Sequence, residues 1–413
     1  MNSYFTAEFF VRNRQRLRAA VGTTAPLIFA AHGVMQRTAD TTLPFAQESN
    51  FWYLTGLTIP DCILVIDEAD EYILLPPANL VLDVFDGAID ARAVSERSGV
   101  ATVLSYAEGW KRLVASLKKE RTAYGLPLAA AYSLHHRMYS NPARRRLYTR
   151  VKQSVPGLTI QDCRPALVTL RSRKQAPEIK AIRRAVQITT ETIQAVRCNL
   201  RDQKFTYEYE LEAAISALFR HKGASGHAYT PIVASGQHAT TLHYVANSGA
   251  LVPKECIVID VGAEYEQYAA DITRTLSMTP LPARQQAVMA AVQSVQKKAV
   301  ALLKPGLMLR DYEHQVLGYM GKALYDLRLI TDQDDQAQIR TYYPHATSHF
   351  LGLDVHDVGD YNVPLEEGMV LTCEPGMYIP QEGIGVRIED DILITATGHE
   401  NLSGDCDYRA YVL

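Results

Sequence analysis

In the stretch HFLGLDVHD, residues 349–357, two histidines and two aspartates fall within nine positions. Imidazole and carboxylate are the side chains most used to bind metals and to move protons near neutral pH. His349 and His356 are seven residues apart, an odd separation that points them to opposite faces of one flat strand. Gly352 between them offers a break that could bring the rings together. One histidine can then serve as a nitrogen ligand while the other faces a substrate.

Partners for these groups lie in two further segments. In CIVIDVGAEYEQYAADITRT, Asp260 ends one strand-like run and Asp271 opens another. A hairpin centred between Tyr265 and Glu266 would set the two carboxylates side by side, roughly 5 Å apart at Cβ, and would require a positive charge between them. A turn aspartate and a helix cap is the alternative for this pair taken alone. In CEPGMYIPQEGIGVRIEDD, Glu374 is biased towards extended backbone by Pro375. Val386 and Ile388 share one strand face, Arg387 and Glu389 the other. Pairing Glu374 with Glu389 centres the connection on Gln381-Glu382, flanked by Pro380 and Gly383 as a turn requires. Two hairpins, each with two carboxylates, suggest an internally duplicated half-domain. Their four negative charges match two divalent cations, and oxygen donors with one imidazole suit Mn²⁺, Co²⁺, Fe²⁺ or Zn²⁺. Paired cations ~3.5–4 Å apart are a known hydrolytic device.

The elements that must position these residues are legible in outline. The first part of the chain carries a helix at about 5–20 and β-branched runs at 26–31, 62–67 and 71–76. The polar stretch RSRKQAPEIK, 171–180, breaks that pattern, and from Pro177 onward Ile179, Ile182, Val186, Ile193 and Val196 follow at helical spacing. The domain boundary is placed there, giving domains 1–173 and 174–413. The second part holds a helix near 207–222 and another marked by Val288, Val292, Val295, Ala299 and Leu302, ended by Pro305-Gly306. Strands are expected at 256–262, 369–375 and 385–395. Helices and strands do not alternate strictly, so the expected class is α+β with an antiparallel sheet.

Composition narrows the function classes. The 413 residues are 47% hydrophobic and 21% charged, as in a soluble chain able to bury a full core. A net charge of −3 supplies no field that would draw the protein to nucleic acid or to an anionic membrane. Arg144, Arg145, Arg146 and Arg150 read as a solvated helix face. The N-terminal twenty residues read as an ordinary helix rather than an export signal. No apolar run approaches the ~18 residues of a membrane span. The six scattered cysteines, with no CxxC pair, are expected to be reduced thiols in a cytoplasmic protein.

With these segments assembled, the sequence resembles the pita-bread metallopeptidases, and among them the aminopeptidase P (Xaa-Pro aminopeptidase) family. DVGAEYEQYAADITRT, HFLGLDVHDVG, TCEPGMY and GVRIEDD carry the match, SGQHATTLHY adds His243, and RTADTTLPFAQESNFWYLTG at 37–56 resembles the family's N-terminal domain. The resemblance implies a C-terminal pita-bread catalytic domain behind a smaller N-terminal mixed α/β domain of the creatinase/aminopeptidase P type. It implies a dinuclear site in which Asp260 chelates one metal, Asp271 and Glu389 bridge, and His349 and Glu374 bind the second, with Mn²⁺ first and Co²⁺, Zn²⁺ or Fe²⁺ as alternatives. Catalysis would fall to His243 and His356 beside the scissile peptide, to Glu374 handling protons, and to Arg387 orienting Glu389 or meeting substrate. The implied reaction is hydrolysis of the bond preceding proline in short peptides with proline second, by a homodimer or homotetramer. One departure is the stretch 78–99, which lacks the Trp-containing segment expected of bacterial members and leaves an aromatic cap from a neighbouring subunit in doubt. A Xaa-Pro dipeptidase (prolidase) would use the same metals. Creatine amidinohydrolase or a non-catalytic binding module would share the fold but have lost ligands, and methionine aminopeptidase normally lacks the N-terminal domain.

Overall fold

The computed structural model describes residues 3–68, 70–128, 137–404, 406, 407 and 409, and the chain divides into two compact units, Met1–Leu170 and Arg171–Leu413. The division falls after Leu170, and the Arg171 side chain pairs with Asp354 and Asp357 of the second unit.

The first unit is built on strands β1 (Leu27–Ala30), β4 (Ile63–Ile66), β5 (Glu71–Leu74), β6 (Thr102–Leu104), β7 (Thr122–Gly125) and β8 (Thr159–Asp162), ordered β6-β5-β4-β1-β7-β8, with a small hairpin of β2 (Gln36–Thr38) and β3 (Thr41–Thr42) beside them. The sheet is mixed: β4 runs antiparallel to its neighbours β1 and β5, while β6 is parallel to β5 and β7 and β8 continue parallel to β1. Every residue of β1 and β4 is buried, which is why LIFA and ILVI read as unbroken apolar runs without alternation. The arginine run does not form a purely solvated face. Arg144 reaches Glu48 Oε1 at 3.1 Å and the Pro127 carbonyl at 2.8 Å, and Arg150 lies 4.8 Å over Tyr106 and 4.6 Å over Trp110.

The second unit is α+β with antiparallel pairing throughout its named strands. The first hairpin comprises β11 (Ile257–Val261) and β12 (Ala263–Tyr265), returning through β13 (Tyr268–Ala269) and β14 (Ile272–Leu276). Flanking it are β9 (Gly226–His227) on β12 and β10 (Ile232–Ser235) on β11. The second comprises β15 (Val370–Cys373) and β16 (Gly376–Ile379), returning through β17 (Ile384–Arg387) and β18 (Asp390–Ile394), with β19 (His399–Asn401) beyond.

The register of the second hairpin is the one read from the sequence: Gly376 faces Arg387 and Cys373 faces Asp390, so Glu374 and Glu389 stand at the same level across Gln381-Glu382. The first differs from expectation by one step. Tyr265 faces Tyr268 and Asp260 faces Thr273, because the turn is Glu266-Gln267, both with positive φ (48° and 70°) as a two-residue hairpin of matching twist demands. Asp271 is therefore diagonal to Asp260 rather than opposite it. Both remain on one face.

The hairpins are fastened to each other by Arg274, which is fully buried. Its guanidinium donates to the Thr273 carbonyl at 2.9 Å, to the Glu389 carbonyl at 2.6 Å and to Asp390 Oδ1 at 2.6 Å. Asp390 also receives Gln296 Nε2 at 2.6 Å and Asn401 Nδ2 at 2.7 Å. Behind the strands, the helices Ala283–Leu302 and Leu309–Asp326 join Val288, Val292, Val295, Ala299, Met320, Leu371, Val386, Ile388 and Ile392 in one apolar cluster. The alternation that puts Val386 and Ile388 into this cluster turns Arg387 and Glu389 the other way.

Both aspartates of HFLGLDVHD serve structure. Asp357 Oδ1 accepts from Arg171 at 2.5 Å and its Oδ2 from Lys174 at 3.1 Å, all three side chains being buried, while Asp354 meets Arg171 at 2.9 Å. Burial alone would push the Asp357 carboxyl up, but the two cations hold it below the usual range. Removing one member leaves buried charge uncompensated, so Asp357→Ala is expected to lower stability by about 3–5 kcal/mol. The contribution is present above the ordinary aspartate value of ~3.9 and lost as pH falls through the depressed one. Denaturant unfolding should therefore show a wide gap between wild type and variant at pH 7 that narrows at pH 3; equal midpoints at pH 7 contradict the assignment.

Candidate metal centre

All four hairpin strands are interrupted at one level: at Gly262 between β11 and β12, at Ala270-Asp271 between β13 and β14, at Glu374-Pro375 between β15 and β16, and at Ile388-Glu389 between β17 and β18. Three of the expected metal ligands stand at these gaps, and Asp260 lies two residues before one. Gly262 is needed there, since a Cβ would stand 1.7 Å from the Ala270 carbonyl oxygen. The segment before His349 runs along β15, with the Glu374 amide donating to the Thr347 carbonyl at 2.9 Å and the Thr372 amide to the His349 carbonyl at 2.9 Å.

Asp271, His349 and Glu389 offer donor atoms that all lie within 4.8 Å of one another. His349 Nδ1 donates to the Phe350 carbonyl at 3.0 Å, which leaves Nε2 facing Asp271 Oδ2 and Glu374 Oε1, each at 3.4 Å. Fixing one imidazole nitrogen in this way selects the other as the ligand. Glu389 Oε2 accepts from Thr273 Oγ1 at 2.7 Å. Asp260 is held differently: Oδ1 lies 2.5 Å from the Tyr229 hydroxyl and Oδ2 accepts from Arg387 at 2.5 Å. The same hydroxyl is 2.6 Å from Asp271 Oδ1, and its single proton serves one of the two.

The expected turn at Gly352 is present. A Cβ there would meet Asp357 Oδ2 at 2.1 Å, and the His349 and His356 ring centroids come within 4.1 Å. His356 is exposed beside the half-buried His349, and His243 is exposed on the segment after β10. Arg387, expected to orient Glu389 or to meet substrate, donates to Asp260, to Thr273 Oγ1 at 3.1 Å and to the Tyr378 hydroxyl at 2.9 Å. Its hydrogen-bond link to Glu389 runs through the shared Thr273, and its charge opposes the rise of that carboxyl as well.

Four polar groups at the site were not anticipated. Tyr378 ties Arg387 to His345 Nε2 at 2.9 Å, and His345 Nδ1 contacts the Ala346 carbonyl at 2.9 Å and lies 3.8 Å from Glu374 Oε2. Burial, then the charge of Arg387, pushes His345 down to about 4, so its Nε2 accepts the tyrosine proton. His345 stands four residues before His349, a spacing that marks it as a candidate once His349 is one. Thr273 was also legible, sharing a face with Asp271 by alternation. Tyr229 lies in GHAYTP and has no such signal.

The electrostatics fit a cation. In the metal-free chain, burial pushes Glu374 up to about 7, with the Asp271 charge adding to it and His349 opposing. Burial also raises Asp271, and it raises Glu389 strongly, helped by the Asp271 and Glu374 charges. Hard oxygen donors whose ionised forms repel one another, set beside one oriented imidazole, are a donor set that a divalent ion satisfies.

Buried carboxylates with an imidazole at the meeting of two antiparallel hairpins define a metallohydrolase-type centre. Residues 180–396 match the model for metallopeptidase family M24, and residues 10–124 match the aminopeptidase P N-terminal domain. The chain is 33% identical over 426 residues to the Xaa-Pro aminopeptidase of Escherichia coli strain K12, covering 97% of this chain and 95% of that one. Proline aminopeptidase P II from Yersinia pestis superposes with a TM-score of 0.85 at 32% identity, covering 98% of each chain. Aminopeptidase P from E. coli, solved with the inhibitor Pro-Leu, superposes with a TM-score of 0.85 at 31% identity over 98% of this chain and 97% of that one. The chain belongs to the Xaa-Pro aminopeptidases of metallopeptidase family M24.

Without a metal, the raised carboxylates keep protons in the folded state that the unfolded chain releases near pH ~4. Burial lowers His349, but its bond to Asp271 and the Glu374 charge push it up to about 9. Stability from that imidazole is present below ~6.5 and lost as pH rises through the folded value. Both effects have one sign. His345, held down at about 4, works the other way below ~6.5. The metal-free melting temperature should therefore fall between about pH 6.5 and 9, and added Mn²⁺ should raise it far more at pH 7.5 than at pH 5. Equal metal-induced shifts at the two pH values would rule this out.

Proposed function

We propose that this chain is a metal-dependent aminopeptidase that removes the N-terminal residue from short peptides with proline second. The observation that carries the proposal is the convergence of Asp271, His349 and Glu389 within 4.8 Å, with Glu374 and Asp260 on the same face, in a chain of this family. Asp260, Asp271, His349, Glu374 and Glu389 would hold two divalent ions, Mn²⁺ first among them. Four carboxylates against the single guanidinium of Arg387 support that count. When bound, the ions polarise the scissile carbonyl and acidify water.

The chain's own residues supply position and proton transfer. Tyr229 and Arg387 fix the Asp260 carboxylate from both sides. Glu374 turns Oε1 towards His349 and Oε2 towards His345, so one oxygen can serve the metal while the other takes a proton and returns it to the leaving nitrogen. His243 and His356, both exposed beside the buried centre, would hold the substrate carbonyl oxygen as negative charge develops. A bond preceding proline is a tertiary amide with no N–H. Recognition through metal and carbonyl therefore suits it better than docking as an added strand.

Self-association is part of the proposal, as homodimer or homotetramer. The helix Leu80–Phe85 has no buried residue, and Leu80, Val84 and Phe85 are 83%, 81% and 80% exposed. Five of its six residues are apolar, and exposed apolar surface of this kind calls for a covering surface. Among the described residues no helix is long and apolar enough to cross a membrane. Six unpaired cysteines suit a reducing compartment, and we place the chain in the cytoplasm.

Metal-stripped protein given Mn²⁺ should cleave a Xaa-Pro-Xaa tripeptide. Strict preference for a Xaa-Pro dipeptide would make it a prolidase, and no metal-dependent cleavage would sink the proposal. Asp271→Ala should lose bound metal with activity, whereas His243→Ala and His356→Ala should lower kcat by about 10²–10³-fold, the usual cost of losing a transition-state donor, with metal content unchanged.

A further inference from the structure

Glu208, in the first turn of the helix Glu208–His221, has a fully buried side chain and takes no part in the centre described above. Its oxygens gather four polar atoms. Oε1 accepts from the Ser235 amide at 2.8 Å and meets His238 Nδ1 at 3.0 Å; Oε2 accepts from the Gly249 amide at 2.6 Å and from the Tyr244 hydroxyl at 2.9 Å. All four belong to one segment, 235–249, which leaves β10, forms the 3₁₀ turn Gly236–Thr240 and carries His243. The carboxylate thus grips both ends of the segment and two side chains from its middle.

The grip is tight around the residue next to His243. Tyr244 stacks on His238 with ring centroids 4.3 Å apart and planes 21° apart. Gly249 closes the ring: its carbonyl accepts the Glu208 amide at 2.9 Å, and a Cβ on it would meet His238 Cε1 at 2.5 Å and Glu208 Oε2 at 3.0 Å. A two-oxygen acceptor offers about four lone-pair directions, and here each is matched by a donor from the same segment. A loop with an exposed histidine at its tip would otherwise sample many positions, each costing conformational entropy when substrate arrives.

We propose that Glu208 is the positioning residue for His243, holding the 235–249 segment so that the imidazole stays in place above the metal centre. This rests on His243 facing the substrate. The role is independent of metal binding, because Glu208 touches none of the five ligand side chains among its hydrogen bonds in the structure.

The test is a double-mutant cycle on Mn²⁺-loaded full chain with a Xaa-Pro-Xaa tripeptide, comparing wild type, Glu208→Gln, His243→Ala and the double variant. Glu208→Gln should lower kcat by about 10–100-fold, the cost of a reacting group misplaced by about an ångström, with metal content unchanged. In the His243→Ala background the same change should cost less than about threefold. An equal loss in both backgrounds overturns the positioning role and leaves the reading of His243 standing. Full turnover by His243→Ala overturns that reading, and the proposal with it. Should Glu208→Gln not fold, Tyr244→Phe, which removes one donor, runs through the same cycle with a smaller loss expected.

Discussion

Everything in the second unit answers to one electrostatic constraint: four carboxylates converge on a spot largely withdrawn from water, where like charges repel strongly and ionised groups are poorly solvated. The protein meets it in two ways. Arg387 and Tyr229 take the two oxygens of Asp260, so one charge is neutralised in place. Asp271, Glu374 and Glu389 are left around the His349 ring, and their raised proton affinities show that the chain alone does not settle them. A divalent cation is what that donor set suits.

That arrangement needs a rigid frame, because a half-ångström drift of any one oxygen changes the repulsion. The frame is Arg274, which ties two backbone carbonyls and Asp390 across the hairpins, with the apolar cluster of two helices behind it. The Asp357 cluster then fixes the turn that brings His349 and His356 together, and Glu208 fixes the segment that carries His243. Ion pairs and carboxylate clamps thus surround the centre without touching a metal. Each acts on one loop, and the sheet supplies the common reference.

The carboxylate spacing was legible where local chemistry dictates the turn. Pro380 and Gly383 flank the second connection, and Glu374 stands level with Glu389 as the spacing requires. The first connection was displaced by one step because its turn residues, Glu266 and Gln267, adopt left-handed backbone without being Gly or Asn, so nothing in their identity announces it. Long-range partners were the hardest to read. Tyr229 meets Asp260 and Asp271 only through the pairing of separate strands. Arg171 and Lys174 looked like a polar linker because the buried acid that accepts them lies more than 180 residues away. The arginine run is largely solvent-exposed as read, but the partners of Arg144 and Arg150 escaped for the same reason, since Glu48, Tyr106 and Trp110 are distant in sequence and adjacent in space.

The shared level of the four strand interruptions ties the centre to the correctness of the sheet itself. Side chains alternate faces along a strand, so a slip of one residue in either hairpin exchanges its two sides. Glu389 or Asp271 would then be driven towards the apolar cluster around Leu371 and Ile392, and Val386 or Ile388 would replace oxygen donors at the centre. An ionised carboxylate without a partner in such surroundings is costly enough to exclude the slipped form. Short, twisted hairpins ordinarily gain little from any single pairing. Here the clustered carboxylates act as a built-in proofreader of strand alignment, and the candidate metal-holding residues also discriminate the native pairing from its nearest competitors.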